Sequence, residues 1–425
     1  MLCTLMTSRA RLNSTLMLVC VALATVLMYA WRLDESSLPG QPDEVSGARQ
    51  ARSIATNGRD TDGRTLPLYF HAHDDVWLQP VPVYVMALFL KLSAMSGGAP
   101  RLAAVAVGVL DVVLMFVLAR RVFESDRMAL AAAGLLALTP AHVIYSRLAI
   151  DALYPVPFVI AWLIALSVFL ERPRPWCLFA ATACLGIGFY TNATSVLIMP
   201  GCVLLTLIAL RVEGVRSWRL HAIAAAGLLL PLTLLAPWFL QHPHNYIDTV
   251  GRWGLHPAYI RNPLDGIRAL TNWSSLSTRV WLFWDFFNPS YLFFVGSPKL
   301  AGSVGRTGVF LLSVAVFLPL GVLRLFRLPQ PRAMRVILLL GLAWVPIVAS
   351  TFNERQAIGN ELAMLPFAVL IATFGAAQLL AGTQKIWRGV GVCLLILMPL
   401  QFGCFVRDYL SAVDTRRTTA SRSVP

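Results

Sequence analysis

The sequence predicts an all-α polytopic membrane protein of about 11 transmembrane helices, with interfacial helices in its first outer loop. Three observations predict it. Of 425 residues, 57% are apolar and only 13% charged, and mean hydropathy is +0.67. The apolar residues come in long runs instead of periodic stripes, and runs of about 17–25 residues are what a membrane helix needs. Basic residues gather in the short connectors between those runs, as in cytoplasmic loops facing anionic lipid. The net charge of +14 is therefore a membrane signature. No basic segment interleaves aromatics in the manner of a nucleic-acid-binding domain, so nucleic acid is excluded as a partner and the lipid bilayer is the expected one.

The first run, 16–31, follows Arg9 and Arg11. Ala22-Leu23-Ala24 resembles a signal-peptidase site but lies inside the run, so a retained first span is predicted. A polar segment then precedes the apolar stretch 81–95, which is short for a span, carries Lys91 and reads as interfacial. If that stretch does not cross, the later spans fall near 102–119, 128–145, 152–170, 176–190, 195–210, 220–240, 307–323, 336–352, 362–380 and 389–406. Arg120, Arg121, Arg127, Arg172, Arg174, Arg211, Arg216, Arg219, Arg324, Arg327, Arg332, Arg335, Lys385 and Arg388 then lie inside. Only Arg147 and Arg355 occupy short outer connectors. Crossing would reverse all of these assignments, so the positive-inside rule selects the non-crossing topology. The N-terminus is cytoplasmic, the C-terminus outside. The chain reads as a single transmembrane domain, 1–406, with outer loops at 32–101 and 241–306 and a short polar tail at 407–425. Cys20, Cys177, Cys184, Cys202, Cys393 and Cys404 sit within or at the ends of apolar runs with no C-x-x-C pair, and read as small core residues.

The chemistry-bearing residues collect on the outer face. Gln41-Pro42-Asp43-Glu44 opens a predicted surface helix: Pro42 suits its first position, and Asp43 and Glu44 sit in the turn where the helix dipole favours anions. Asn57-Gly58 marks its end. Neither carboxylate has a cation four residues on, so no helical ion pair consumes them, and a charged carboxylate is what a general base needs. The bland reading is an ordinary interfacial helix start. Asp60 and Asp62, in a Gly-bounded turn, have the form of a divalent-cation site and equally that of any acidic turn. His71, His73, Asp74 and Asp75 bring ligand-type residues together, but alternate residues of extended chain point to opposite sides. Arg147 and Asp151 are four apart: on a helix they share a face and pair, or they meet a phosphate and a sugar or acceptor hydroxyl. Asp111 lies mid-span, where a charge is expensive; it is assigned no chemistry and is expected to bond to a neighbouring helix. Trp238, His242, His244, Trp253, His256, Trp273, Trp281 and Trp284 in and beside the second outer loop read as interfacial anchors or as sugar-stacking rings.

Taken in order, these segments resemble the GT-C membrane glycosyltransferases, specifically glycosyltransferase family 39, which includes protein O-mannosyltransferases and lipid A aminoarabinose transferases. The resemblance runs through Pro42-Asp43-Glu44, the segment Gly63-Arg64-Thr65-Leu66-Pro67-Leu68-Tyr69, and Gln79-Pro80-Val81-Pro82. It continues through Arg101-Leu102, the stretch Ser146-Arg147-Leu148-Ala149-Ile150-Asp151, the Gly-rich segment ending in Thr191-Asn192, and Pro237-Trp238-Phe239. It implies a polyprenyl-phosphate-linked sugar as donor and an acceptor hydroxyl on a protein, lipid or glycan. It also implies Asp43 as base, inversion at the anomeric carbon, and no cofactor. Glu44, Tyr69, Arg147, Asp151 and Arg355 are the supporting or substrate-binding residues. The setting is the plasma membrane, the cell inner membrane for a bacterial protein, with the site on the outer face. The chain departs from the family where Ser46 replaces an Arg and where Gln79 and Asn192 replace Lys. Arg147, Arg306 or Arg355 then stand as alternative contacts to the donor phosphate. Two other readings remain: a metal-dependent transferase of the same fold, using Asp60 and Asp62, and a transporter or flippase of lipid-linked sugars.

Overall fold

The computed structural model describes residues 2–33, 42–72, 77–96, 98–242, 273–297, 305–327, 332–352, 355–382 and 384–422. It is a helical bundle with one two-stranded ribbon. Helix α1 (Leu2–Ala30) is followed by α2 (Pro42–Asn57) and then by β1 (Phe70–His71), paired antiparallel with β2 (Trp77–Leu78). After these come α3 (Pro80–Leu92), α4 (Ala99–Phe123), α5 (Asp126–Ala137), α6 (Pro140–Tyr145), α7 (Pro155–Glu171) and α8 (Pro175–Gly188). The chain continues as α9 (Ser195–Val212), α10 (Trp218–Leu232), α11 (Leu235–Gln241), α12 (Trp273–Phe286), α13 (Val314–Arg327) and α14 (Arg332–Ala349). It ends with α15 (Leu365–Ala381) and α16 (Lys385–Arg422). Proline opens α2, α3, α6, α7 and α8. Its missing N–H costs nothing there, since the first-turn amides have no helical acceptor. A single continuous core joins the helices from α1 to α16, while α2 and α3 pack on each other around a smaller core of Ala51, Ile54, Met86 and Leu90.

Among the described residues, seven helical stretches are long and apolar enough to cross a membrane. Seven of the eleven predicted spans coincide with these stretches; the other four, 16–31, 128–145, 176–190 and 307–323, are helical over lengths that fall short of a span. Helix α1 is apolar only over Ser14–Ala30, and α8 has 14 residues. The predicted span 128–145 breaks at Thr139, whose extended backbone (ψ 119°) precedes Pro140, the conformation imposed on a residue before proline. The predicted span 307–323 becomes helical only at Val314. Before that, the Phe310 amide donates to the Leu292 carbonyl at 2.9 Å and the Ala141 amide to that of Val309 at 3.3 Å. Three connectors are thereby tied into one layer at the end of the bundle. The stretch 81–95 forms the short apolar helix α3, packed on α2 and α4. The polar residues from Arg407 continue α16 as helix to Arg422.

Close helix contacts explain several glycines. A Cβ on Gly321 of α13 would run into the Ile371 carbonyl of α15, and one on Gly375 into the Phe317 carbonyl. Two helices without a water-driven hydrophobic force between them gain from this approach of backbones.

Candidate active site

The site is built along the 146–154 connector, which Glu44 of α2 reaches at the Ala149 amide and on which the turns of the 350–364 connector pack. Asp43 and Glu44 stand in the first turn of α2 as the sequence predicts, and Gly58 closes the helix at φ +67°. The two carboxylates face differently. Asp43 is exposed, whereas Glu44 is 8% exposed. The Glu44 Oε1 accepts from Arg101 Nε at 2.7 Å and from the Ala149 amide at 3.3 Å. Glu44 thus joins α2 to the start of α4 and to the connector that carries Asp151, with an ion pair 57 residues apart in sequence.

The acidic turn is held by its own backbone. The Asp60 Oδ1 accepts the amides of Asp62 at 3.0 Å and Arg64 at 2.7 Å, and Gly63 takes φ +84°, a conformation that suits glycine. Gln50 of α2 fastens this turn, donating to Thr61 Oγ1 at 2.6 Å and to the His71 carbonyl at 2.5 Å. Asp62 pairs with Arg64 and lies 3.7 Å from His71 Nδ1. Among the described residues no three His, Cys, Asp or Glu side chains are placed to hold a metal ion. His73, Asp74, Asp75, His244, Trp253 and His256 lie outside the described residues, and so does Gln41.

Tyr69 is buried in an aromatic cluster, its ring 6.3 Å from Tyr190 and 5.9 Å from Trp238. Burial raises its phenol pKa, so it serves as a hydroxyl. Trp77 packs edge-on to Trp238 at 6.2 Å, and the Arg64 guanidinium lies 5.4 Å over the Trp77 ring. Trp238 and His242 stack at 4.0 Å. Gln79 and Asn192, at the two positions where the resemblance expects lysine, are buried. Asn192 Oδ1 accepts from the Thr194 amide and hydroxyl at 2.9 and 2.7 Å, and Gln79 Oε1 has no hydrogen-bond partner among the described residues.

Arg147, expected either to pair with Asp151 or to meet a phosphate, is engaged with backbone carbonyls. Its guanidinium donates to the carbonyls of Tyr29 at 2.7 Å, Trp31 at 2.8 Å, Arg32 at 3.2 Å and Met28 at 3.4 Å. These are the carbonyls that the end of α1 leaves without helical donors, and a five-donor guanidinium suits them. Helix α6 ends at Tyr145, so Arg147 and Asp151 do not share a helix face. Asp151 instead begins a 3₁₀ turn, Asp151–Leu153. Arg355 is likewise committed. Its Nε and Nη2 donate to Asp285 at 2.8 and 3.3 Å, Gln356 donates to the same carboxylate at 3.1 Å, and the guanidinium lies 4.9 Å over Trp281. Arg306 is exposed.

Asp111 is fully buried and bonded to a neighbouring helix, as expected: its Oδ2 is 3.2 Å from His142 Nε2, and His142 Nδ1 is 2.7 Å from the Tyr29 hydroxyl. This chain locks α4, α6 and α1 together inside the bundle.

Three groups escaped sequence reasoning. Arg279 of α12 is 8% exposed, and its Nε, Nη1 and Nη2 have no hydrogen-bond partner among the described residues. Burial lowers its pKa from the ordinary arginine value. A guanidinium keeps its charge, so Arg279 is a buried cation available to an anion. Glu361 is 1% exposed and accepts from the Tyr291 hydroxyl. Its signal in the sequence was faint: a lone Glu just before an apolar run. Asp285 had none, since its partners Arg355 and Gln356 lie 70 and 71 residues away.

Comparison with known proteins gives three results. Residues 78–240 match the family described as dolichyl-phosphate-mannose-protein mannosyltransferase. No curated protein matches the chain by sequence. Among solved structures, the chain is similar to the archaeal oligosaccharyltransferase AglB from Archaeoglobus fulgidus, solved with an inhibitory peptide and a dolichol-phosphate. Identity is 15% and the TM-score 0.53, over 96% of this chain and 56% of that one. It is also similar to ArnT from Cupriavidus metallidurans bound to undecaprenyl phosphate, at 16% identity and TM-score 0.56, over 94% of this chain and 73% of that one. The apo form of ArnT matches with the same TM-score. The chain thus spans little more than half the length of AglB and about three quarters of ArnT.

Proposed function

From the family match over residues 78–240 and the likeness of fold to AglB and ArnT, we propose that this protein is an inverting glycosyltransferase of the GT-C, family 39-like kind. It moves a sugar from a polyprenyl-phosphate donor to an acceptor hydroxyl on the outer face of the membrane. The observation that carries the reading is the division of labour in the first turn of α2. Glu44 is buried and tied to Arg101 and Ala149, and so holds the turn in place, while Asp43 beside it is exposed. One anchored carboxylate next to one presented to solvent is the arrangement a general base needs: fixed backbone, accessible oxygen.

Asp43 takes the proton of the acceptor hydroxyl as that oxygen forms its bond to the anomeric carbon. The bond between the anomeric carbon and the phosphate oxygen breaks with its electron pair, and polyprenyl phosphate leaves. Attack opposite the leaving group inverts the anomeric centre. Phosphate leaves without a proton donor, so a cation stabilises its growing charge. Arg279 supplies it, because Arg147 is spent on α1 and Arg355 on Asp285. Asp151, at the head of the turn beside Glu44's backbone partner, orients the reacting hydroxyl. The lipid leaving group fixes the setting as the bilayer surface.

The test compares Asp43→Asn with Glu44→Gln in purified protein, using radiolabelled undecaprenyl-phosphate mannose and a panel of hydroxyl acceptors. The Asn variant is expected to lose about 10²- to 10⁴-fold in transfer rate with donor binding retained. The Gln variant is expected to lose thermal stability first. Wild-type transfer by Asp43→Asn removes Asp43 from the role of base.

A further inference from the structure

Among the described residues, three buried polar atoms without hydrogen-bond partners fall on two turns that pack together: the Tyr154 hydroxyl, Asn360 Nδ2 and Glu361 Oε2. Tyr154 follows the 3₁₀ turn Asp151–Leu153, and Glu361 lies between the 3₁₀ turns Ile358–Asn360 and Leu362–Met364. The first turn packs on both of the others. They meet in ordinary van der Waals contact: a Cβ on Gly359 would sit 3.4 Å from Ala152 Cβ and 3.4 Å from the Tyr145 hydroxyl.

Native proteins satisfy nearly all buried polar groups, so a concentration of orphans marks a place where something else completes the bonding. The Glu361 Oε1 already accepts from Tyr291, which leaves Oε2 as the open position. Burial pushes the Glu361 carboxyl up to about 8 against the opposing pull of the Tyr291 hydrogen bond, so at neutral pH Oε2 carries the proton and donates. Tyr145 and Asp285 face Tyr291, and Asp151 faces Tyr154; Asp285 is in turn paired with Arg355. A neutral acid, an amide and a phenol offer donors and acceptors without net charge. That mixture matches sugar hydroxyls, whereas a phosphate selects cations.

The cluster is joined through the chain to the helix that carries the proposed base. Ala149 donates to Glu44, the neighbour of Asp43, and residues 149–154 lead from that bond directly to Tyr154.

We propose that Glu361, with Asn360 and Tyr154, binds the sugar ring of the donor and sets which sugar the enzyme accepts. This rests on the reading of the protein as a lipid-phosphate-sugar transferase. The three atoms are covered in this structure, so the ring reaches them as the two turns part. Glu361 Oε2–H donates to one ring hydroxyl, and Asn360 and Tyr154 pair with its neighbours.

Binding of the full chain in nanodiscs tests the proposal, with three probes: bare undecaprenyl phosphate, and the same lipid carrying mannose or glucose. Wild type is expected to bind one sugar-bearing lipid at least about tenfold more tightly than the bare one. Glu361→Leu should erase that preference and leave affinity for bare undecaprenyl phosphate unchanged. Glu361→Gln, which keeps an acceptor for Tyr291 and a donor in place of Oε2–H, should keep the preference. Raising the pH from 7 to 9.5 should abolish it in wild type and not in Glu361→Gln, a difference that holds as a test even if the Leu variant fails to fold. The proposal is overturned by a wild type without preference for either sugar, by Glu361→Leu retaining the preference, or by a wild-type preference flat across that pH range. Asp43→Asn serves as the independent control: it should bind like wild type and fail to transfer. Transfer by that variant would sink the assignment of Asp43 while leaving the Glu361 test intact.

Discussion

Glu361 also makes a statement about stability. Burial pushes its carboxyl from the ordinary 4.5 of the unfolded chain up to about 8 in the folded one. Below both values the proton is bound in either state and burial costs no charge. Between them the unfolded chain releases the proton while the folded one keeps it, so folding loses ground as pH rises, at about 1.4 kcal/mol per pH unit. Above the folded value the loss is complete. Unfolding of wild type and Glu361→Gln, followed in mild detergent from pH 5 to 8.5, should therefore show the Gln variant gaining steadily on wild type. A constant gap would mean that Glu361 is not held protonated. At the same scale, Asp43 and Glu44 were both legible as first-turn carboxylates from Pro42 and the helix dipole. Which of them would be buried was not, because Arg101 and Ala149 lie 57 and 105 residues away.

At the scale of elements, Arg147 shows how a motif residue acquires a structural role. Its four carbonyl acceptors all lie in 28–32, so the connector after α6 is bolted to the end of α1. Its guanidinium also lies 5.6 Å over Tyr409 of α16. Lysine offers one compact ammonium in place of a planar fork. Arg147→Lys is therefore expected to cost about 1–3 kcal/mol, read as a fall in melting temperature, with the donor KM unchanged. A selective rise in donor KM at unchanged stability would return Arg147 to the phosphate. The breaks in the predicted spans belong to this scale too. Pro140 marks one in the sequence, but the start of α13 at Val314 depends on backbone pairing of 309–310 with 291–292, which no local pattern announces.

For the whole molecule, the charge asymmetry makes the boldest prediction. Arg211, Arg216 and Arg219 should face the cytoplasm, and Asp43 and Asp62 the opposite compartment. Single cysteines at Asp62 and at Arg216 should be labelled by a membrane-impermeant maleimide from opposite sides of sealed vesicles, Asp62→Cys from outside. Labelling of both from one side would invert the topology. The bundle provides a frame for the connectors: α15 is buried almost throughout its length, and α13 approaches it through Gly321 and Gly375. The connectors that carry Asp43, Asp151 and Glu361 converge on that frame from segments more than 300 residues apart in sequence.

The sequence by itself determined the membrane class, most of the spanning helices, the boundaries of α2 and the two carboxylates in its first turn. Each of these depends on local chemistry: hydropathy over about 20 residues, proline and glycine at helix ends, and charge counted along connectors. Only the tertiary structure decided which polar residues are engaged with the fold and which are buried with atoms unmatched among the described residues. Arg147 and Arg355 looked available and are occupied by Tyr29 and Asp285, while Arg279 and Glu361 looked ordinary and are buried with atoms unmatched. A hydrogen-bond partner is set by distance in space, and in a bundle with long connectors that distance is unrelated to separation along the chain.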